Sequence, residues 1–186
     1  MRGVMAAASV LLVLSCQKYG IKASHEAVEV RNATGSFYSA VLPLMGHGVP
    51  GDIKVLRPWI SADLAKFLEE ASDAEGAYYE RCKDDSPPMV EGDLFSSLSE
   101  GPTSFKVLAA SKKDNGWACT VELRYQTPGS DEKPLIWNDR ATLIPEGGRW
   151  VVDDLDLLST HETASSGTLK SWLRKIIKDG NDPDYK

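Results

Sequence analysis

The stretch Pro134–Leu158, PLIWNDRATLIPEGGRWVVDDLDLL, decides the fold. It reads as two strands joined by a tight turn. Trp137, Ala141, Leu143, Val151, Val152, Leu155 and Leu157 supply strand-forming bulk. Glu146-Gly147-Gly148 supplies the turn, because two glycines accept the positive φ that a short hairpin needs. Upstream, Phe105–Ala110 and Trp117–Tyr125 read as two more strands around the turn Asp114-Asn115-Gly116. Pro128-Gly129-Ser130 marks the next turn. Trp137 and Leu143 alternate against Ile136 and Ile144, so the sheet is expected to be apolar on both faces. Such a sheet needs cover on both, or a pocket on one.

Helices flank the strands. Val30, Thr34, Phe37, Val41 and Met45 recur at helical spacing from about Ala27, and Pro43 with Gly46–Gly51 closes that run. A second stripe runs through Ile60, Leu64, Phe67, Leu68 and Ala71, and weakly on to Ala74, Tyr78 and Cys82, with Ser61 placed to cap it. Residues 84–103 form a loop of a length that is often functional or mobile. Leu169, Trp172, Leu173 and Ile176 share one face of a last helix, capped by Thr168 or Ser166 and stopped by Gly180 and Pro183. It is expected to dock on the domain itself. The order predicts an α+β fold: a curved antiparallel four-stranded sheet packed with helices.

A chain of 186 residues fits one domain. Its net charge of −6 excludes a nucleic-acid partner, which needs a basic footprint. Arg2 followed by the apolar run Val4–Leu14 reads as a secretory leader, too short to span a bilayer in the mature protein. Val13-Leu14-Ser15-Cys16 resembles the bacterial lipobox. That resemblance implies cleavage before Cys16 and acylation of Cys16, so the membrane is reached through acyl chains. Gln17, in place of an aspartate, resembles the outer-membrane sorting pattern. The expected organisation is a signal peptide over 1–15, a lipidated tether over 16–24 and a single α+β domain over 25–180. The expected location is the outer membrane, facing the periplasm; a secreted or periplasmic protein is the alternative. Cys82 and Cys119 remain, and an oxidising compartment invites a disulfide between them. Two thiols that never meet is the other reading.

Several motifs then resemble a family. Phe37-Tyr38, Leu56-Arg57-Pro58-Trp59-Ile60-Ser61, Asp93-Leu94-Phe95-Ser96-Ser97, Gly148–Asp154 and Thr163–Leu169 resemble, in order and spacing, bacterial envelope lipoproteins of unknown function, the YbjP-like group. The resemblance implies a cone-like fold similar to nuclear transport factor 2, an envelope location and, for one member, association with the TolC efflux machinery. Leu94 stands where the group often carries proline, which loosens the loop's φ constraint, so no loop-specific role or TolC partner is carried over.

A cone of this kind can hold a pocket with a carboxylate as acid–base group. Asp139, Asp153, Asp154, Asp156 and Asp93 are the candidates, with Arg140, Arg149 or Arg57 as partners. Asp154 follows Trp150 and Val152 in the two-residue alternation and is expected to point inward at the pocket mouth. The blander reading is an ion pair, or an aspartate bonding loop amides, as Asp93 would in its own turn. His25, His47 and His161 are scattered, so no metal site is expected, and no cofactor motif is present. Trp59, Phe67, Trp117, Trp137 and Trp150 fall on apolar stripes and are expected in the core. The candidate pocket or rim comprises Asp93, Phe95, Arg149, Trp150 and Asp154. Three functions compete: a non-catalytic lipid-anchored module that binds an envelope protein partner, a small-ligand binder or enzyme built on Asp154, and a periplasmic immunity protein against a secreted toxin.

Overall fold

The structure is a computed structural model and describes residues 25–82 and 89–185. The leader, Cys16 and the tether lie outside the described residues. The elements are α1 (residues 25–41), a 3-10 turn at Leu42–Leu44, α2 (Ala62–Cys82), β1 (Ser104–Lys113), β2 (Gly116–Tyr125), β3 (Leu135–Glu146), β4 (Arg149–Leu157), β5 (Gly167–Thr168) and α3 (Leu169–Asn181). Gly147 and Gly148 take φ of 58° and 78°, and join β3 to β4 as the glycine pair predicted. Pro43 sits in the 3-10 turn, where its missing amide proton costs nothing.

The fold is α+β, with an open antiparallel sheet in the order β1-β2-β3-β4-β5. Four strands were expected and there are five. Gly167 and Thr168 pair with Leu157 and Asp156, a ladder too short to leave a periodic signal in sequence. A second short segment takes the other half of the same edge of β4. Ser61 N donates to Val152 O at 2.9 Å and Val152 N donates to Trp59 O at 2.8 Å, a parallel bridge centred on Ile60.

One face of the sheet carries the core; on the other, Ala118 and Val151 are buried while the Ile136 end stays open, so the two-faced expectation holds only in part. Trp117, Cys119, Val121, Leu123, Trp137, Ala141, Leu143, Val152, Leu155 and Leu157 form one cluster with the apolar sides of the helices. On the other alternation Ile136 remains 46% exposed, among Glu122, Arg124 and Asn138. In α1 the stripe Val30, Thr34, Phe37 and Val41 is fully buried. Tyr38 lies against Phe105 of β1, with ring centroids 5.5 Å apart.

Helices α2 and α3 run side by side in the same direction. Asp63 meets Lys170 at their starts, Arg174 lies over the Phe67 ring, and Arg81 donates to Gly180 O and Asp182 O at their ends. Gly180 does not stop α3, contrary to expectation. It is buried inside the last turn, where an added Cβ would lie 2.6 Å from Ala74 O of α2. The absent side chain lets the two helices touch. Leu169, Leu173 and Ile176 are buried, so α3 docks on its own domain. Thr168 and Ser171 form the capping box that starts it.

Cys82 and Cys119 are both free thiols, and no bridge joins them. Cys119 is fully buried at the centre of the sheet's inner face, beneath α1. Burial pushes its thiol pKa up. Cys82 ends α2 and is only half-buried.

Candidate functional site

An open groove of about 610 Å³ lies between α1 and the tip of the β3–β4 hairpin. Glu29, Asn32 and Ser36 line one wall, Arg149 and Trp150 the other, and Trp59 the base. The Gly147-Gly148 turn carries Arg149 and Trp150 to that wall. Pro58 and the Ile60 bridge hold Trp59 beside the edge strand. Trp117 and Trp137 are 5% exposed, as their apolar stripes predicted, whereas Trp59, Phe67 and Trp150 are half-buried and pack against the edge of the core, and Trp59 and Trp150 also line the groove. Arg149 is exposed and makes no ion pair among the described residues. On the facing wall Glu29 pairs with His25 at 3.4 Å, and Glu26 with Lys112 at 3.7 Å. The groove therefore offers two half-buried indoles and the Arg149 guanidinium, with the Glu26 and Glu29 carboxylates on the facing wall. Of the five candidate rim residues, Arg149 and Trp150 come together here. Asp93, Phe95 and Asp154 lie elsewhere.

Asp139 is the most enclosed acid, at 0% exposure. Its carboxylate accepts from Ser97 N at 2.9 Å, Leu158 N at 2.8 Å, Trp137 Nε1 at 3.2 Å and the Ser97 hydroxyl. Ser97 in turn accepts on Oγ from Ser159 N, and on its carbonyl from Ser165 N at 2.7 Å. One carboxylate thus fastens the 89–103 loop, the end of β4 and the segment after it. Every acceptor position is taken, as a buried charge requires. Sequence weighed Asp139 as a base, and geometry makes it a structural hub.

A second acidic group gathers where the parallel helices begin. Lys170 is 7% exposed, and its Nζ lies 2.7 Å from both Asp63 and Asp153. Burial disfavours its charge, but the bonds to Asp153 and Asp63 outweigh that and hold its pKa above the ordinary lysine value. The same bond to Lys170 lowers the pKa of Asp63. Ser61 Oγ donates to Asp153 at 2.6 Å while accepting from Leu64 N, which caps α2 as predicted. Glu146 accepts from Ala62 N at 3.1 Å. Two aligned helix N-termini concentrate positive partial charge, and these acids offset it.

Asp154 belongs to this group and not to a pocket. A bulge opposite Thr142 and Leu143 leaves Asp153 without a cross-strand partner and shifts the alternation by one residue. Leu155 and Leu157 then follow Val152 inward, and Asp154 leaves the core. Its Oδ1 accepts from Lys170 N and Leu155 N, both at 2.9 Å, so it braces the first turn of α3. Arg140 pairs with Asp156 at 2.7 Å, and Arg57 with Glu69.

Asp93 is the exception among the acids. The loop that carries it is buried from Asp93 to Leu98, more completely than strand β1. Phe95 is fully buried and packs edge-on against Phe37 of α1. The Asp93 carboxylate lies among the amides of Phe95, Gly46 and Leu94 and the Ser96 hydroxyl. Neither of its oxygens has a donor seated in hydrogen-bond geometry. Burial pushes its pKa up to about 6, against those weaker favourable contacts. The Tyr38 hydroxyl is likewise buried without a seated partner. Its pKa is raised by burial first, then by the charges of Asp139 and Asp93.

The chain is similar to a lipoprotein. It is 33% identical over 122 residues to the uncharacterized lipoprotein YbjP of Escherichia coli (strain K12). The match covers 66% of this chain and 64% of YbjP, just under two thirds of that protein's length. No family model matches the chain. No solved structure matches it either. Among the described residues no helix is long and apolar enough to cross a membrane, and no group of three or more His, Cys, Asp or Glu is placed to hold a metal ion.

Proposed function

We propose that this chain is a lipid-anchored envelope protein that binds a protein partner and catalyses nothing. In this reading residues 1–15 are cleaved, Cys16 carries the acyl chains, residues 16–24 form the tether, and the domain faces the periplasm from the outer membrane. Similarity to YbjP and the Val13–Cys16 motif support the anchor. The domain is read as a cone-like sheet of the nuclear transport factor 2 kind, with its wide side filled by the helices.

The observation that carries the binding role is the groove. Trp59, Trp150 and the unpaired Arg149 face solvent together, while Asp139, Asp153 and Asp154 are committed to bonds within the fold. Half-buried indoles beside a free guanidinium suit an extended protein segment that presents apolar side chains and one carboxylate. An acid–base reading needs a carboxylate in an apolar cavity, and Asp154 does not stand in one.

Two measurements test this reading. Cells fed an alkyne fatty acid should label the full-length chain and not its Cys16→Ser variant; equal labelling would remove the anchor. A photo-crosslinking residue at position 149 or 150 of the lipidated chain should give one discrete protein adduct. The same residue at Glu122 or Asn138, on the exposed sheet face, should give none. Indistinguishable adducts from both faces would overturn the groove as the binding site.

A further inference from the structure

Asp93 and its loop lie away from the groove and have no part in the role proposed for it. The segment closes on itself and on the turn after α1. Asp93 N donates to Ser99 O at 2.8 Å, Gly101 N to Leu98 O at 3.0 Å, and Gly48 N to Gly92 O at 2.8 Å. Gly92 and Gly101 take φ of 89° and 68°. A Cβ at Gly92 would fall 2.2 Å from Ser99 O, and one at Gly101 would meet Met45 and the Asp93 side chain. The segment is therefore tightly shut around a carboxyl group that is 7% exposed and has no donor seated on either oxygen.

A neutral carboxyl tolerates such a site far better than a charged one. The groups around it are the amides of Phe95 and Leu94 and the Ser96 hydroxyl on its own loop, and the Gly46 amide on the turn. From α1 comes the Tyr38 phenol, itself without a partner, with Asp139 of β3 acting on Tyr38 from the far side. Glu91 and Glu100 on the same stretch of chain, and His47 beside Gly46 on the turn, are all exposed. Among the described residues no cation pairs with Asp93.

We propose that Gly92–Gly101 is a pH-dependent latch, closed over the core when the Asp93 carboxyl is neutral and loosened when that carboxyl is ionised. Loosening lets water reach the charge at the Asp93 end of the segment, while Ser97 stays fastened to Asp139. The direction follows from linkage. The closed form holds its proton up to about pH 6, whereas an exposed aspartate in the open form loses it near the ordinary value. Opening therefore becomes easier as pH rises through that window, by about tenfold between pH 5 and 7.5 for such a shift.

Hydrogen exchange on the full chain measures this directly. The reporters are the amides of Asp93, Gly101 and Gly48, with protection factors corrected for intrinsic exchange. The expected result is about a tenfold fall in protection from pH 5 to 7.5 at these amides. The strand amides of β2 and β3 should show no comparable change. Asp93→Asn should abolish the pH dependence, and His47→Gln should keep it. An unchanged protection in the wild type, or the same fall in Asp93→Asn, would overturn the latch. Should Asp93→Asn not fold, a carbon NMR titration of the wild-type side chain decides: a midpoint near 6 supports the latch, and one near the ordinary aspartate value removes it.

Discussion

Asp139 and Asp93 are both buried against the same loop and differ in what their oxygens accept. Around Asp139 the loop, β3 and the end of β4 converge with four seated donors. Around Asp93 the chain comes just as close, yet no donor is aligned. Two buried carboxyl groups thus have opposite consequences. A buried carboxylate with its lone pairs filled fixes three segments at once; one with them empty is a point of stress in an otherwise closed segment. What decides between the two is the aim of a few amides and hydroxyls.

The largest test of this contrast removes the filled acid. Asp139→Ala leaves Ser97 N, Leu158 N, Trp137 Nε1 and the Ser97 hydroxyl without their acceptor inside the core. Urea unfolding should show a loss of about 4 kcal/mol at unchanged slope, the scale of a broken buried charge site. A loss under about 1 kcal/mol would mean that water replaces the carboxylate freely.

A buried cation gives the intermediate case. Lys170→Met strips Asp153 and Asp63 of their shared ammonium while keeping the apolar stem packed between α2 and α3. Ser61 still donates to Asp153, so the expected loss is about 2 kcal/mol at neutral pH. The sign of its pH dependence is fixed. The folded pKa of Lys170 is raised, so its contribution is fully present below the ordinary lysine value and is lost as pH rises through the folded value. Wild type should therefore converge on Lys170→Met only in strong alkali, and a gap that closes near pH 7 would contradict the cluster.

Much of this architecture was legible from residue pattern alone. The hairpin at Gly147-Gly148, the Ser61 cap, the stripe of α1 and the docking of α3 each rest on a local rule of spacing or φ, and each is found in place. What failed depended on contacts distant in sequence. The phase of Asp154 was misread because one extra residue at Asp153 resets the alternation, and only the partner strand reveals a bulge. The consecutive pairs Val151-Val152 and Asp153-Asp154 were the available hint, since neither suits strict alternation. Gly180 was read as a stop because the approach of Ala74 is invisible from α3 alone. Of the groove, the sequence indicated Arg149 and Trp150 but missed Trp59 and the polar side of α1. An indole beside proline looks like core until the edge of the sheet is located. The roles of Ser97 and Lys170 had no signal at all, because a serine in a loop and a lysine in an amphipathic helix are ordinary at those positions.

Two adjacent serines allow the sharpest comparison, because each serves a different acid from the same loop. Ser97→Ala removes a seated donor from Asp139 and the acceptor for Ser159 N, while the Ser97 backbone bonds survive. It should cost about 2 kcal/mol, with little change between pH 5 and 7.5. Ser96→Ala removes a hydroxyl that is bonded to Leu98 O at 2.9 Å and only lies near Asp93. Its cost at pH 5 should stay below about 1 kcal/mol, because the neutral carboxyl hardly feels the change. Ser96 does lower the pKa of Asp93, so without it the carboxyl should titrate higher still and the variant should weaken further as pH rises. Chemical unfolding of both variants at the two pH values reads the difference. Parallel losses from Ser96→Ala and Ser97→Ala at both pH values would show that the two acids are solvated alike, and the contrast between filled and empty carboxylates would dissolve.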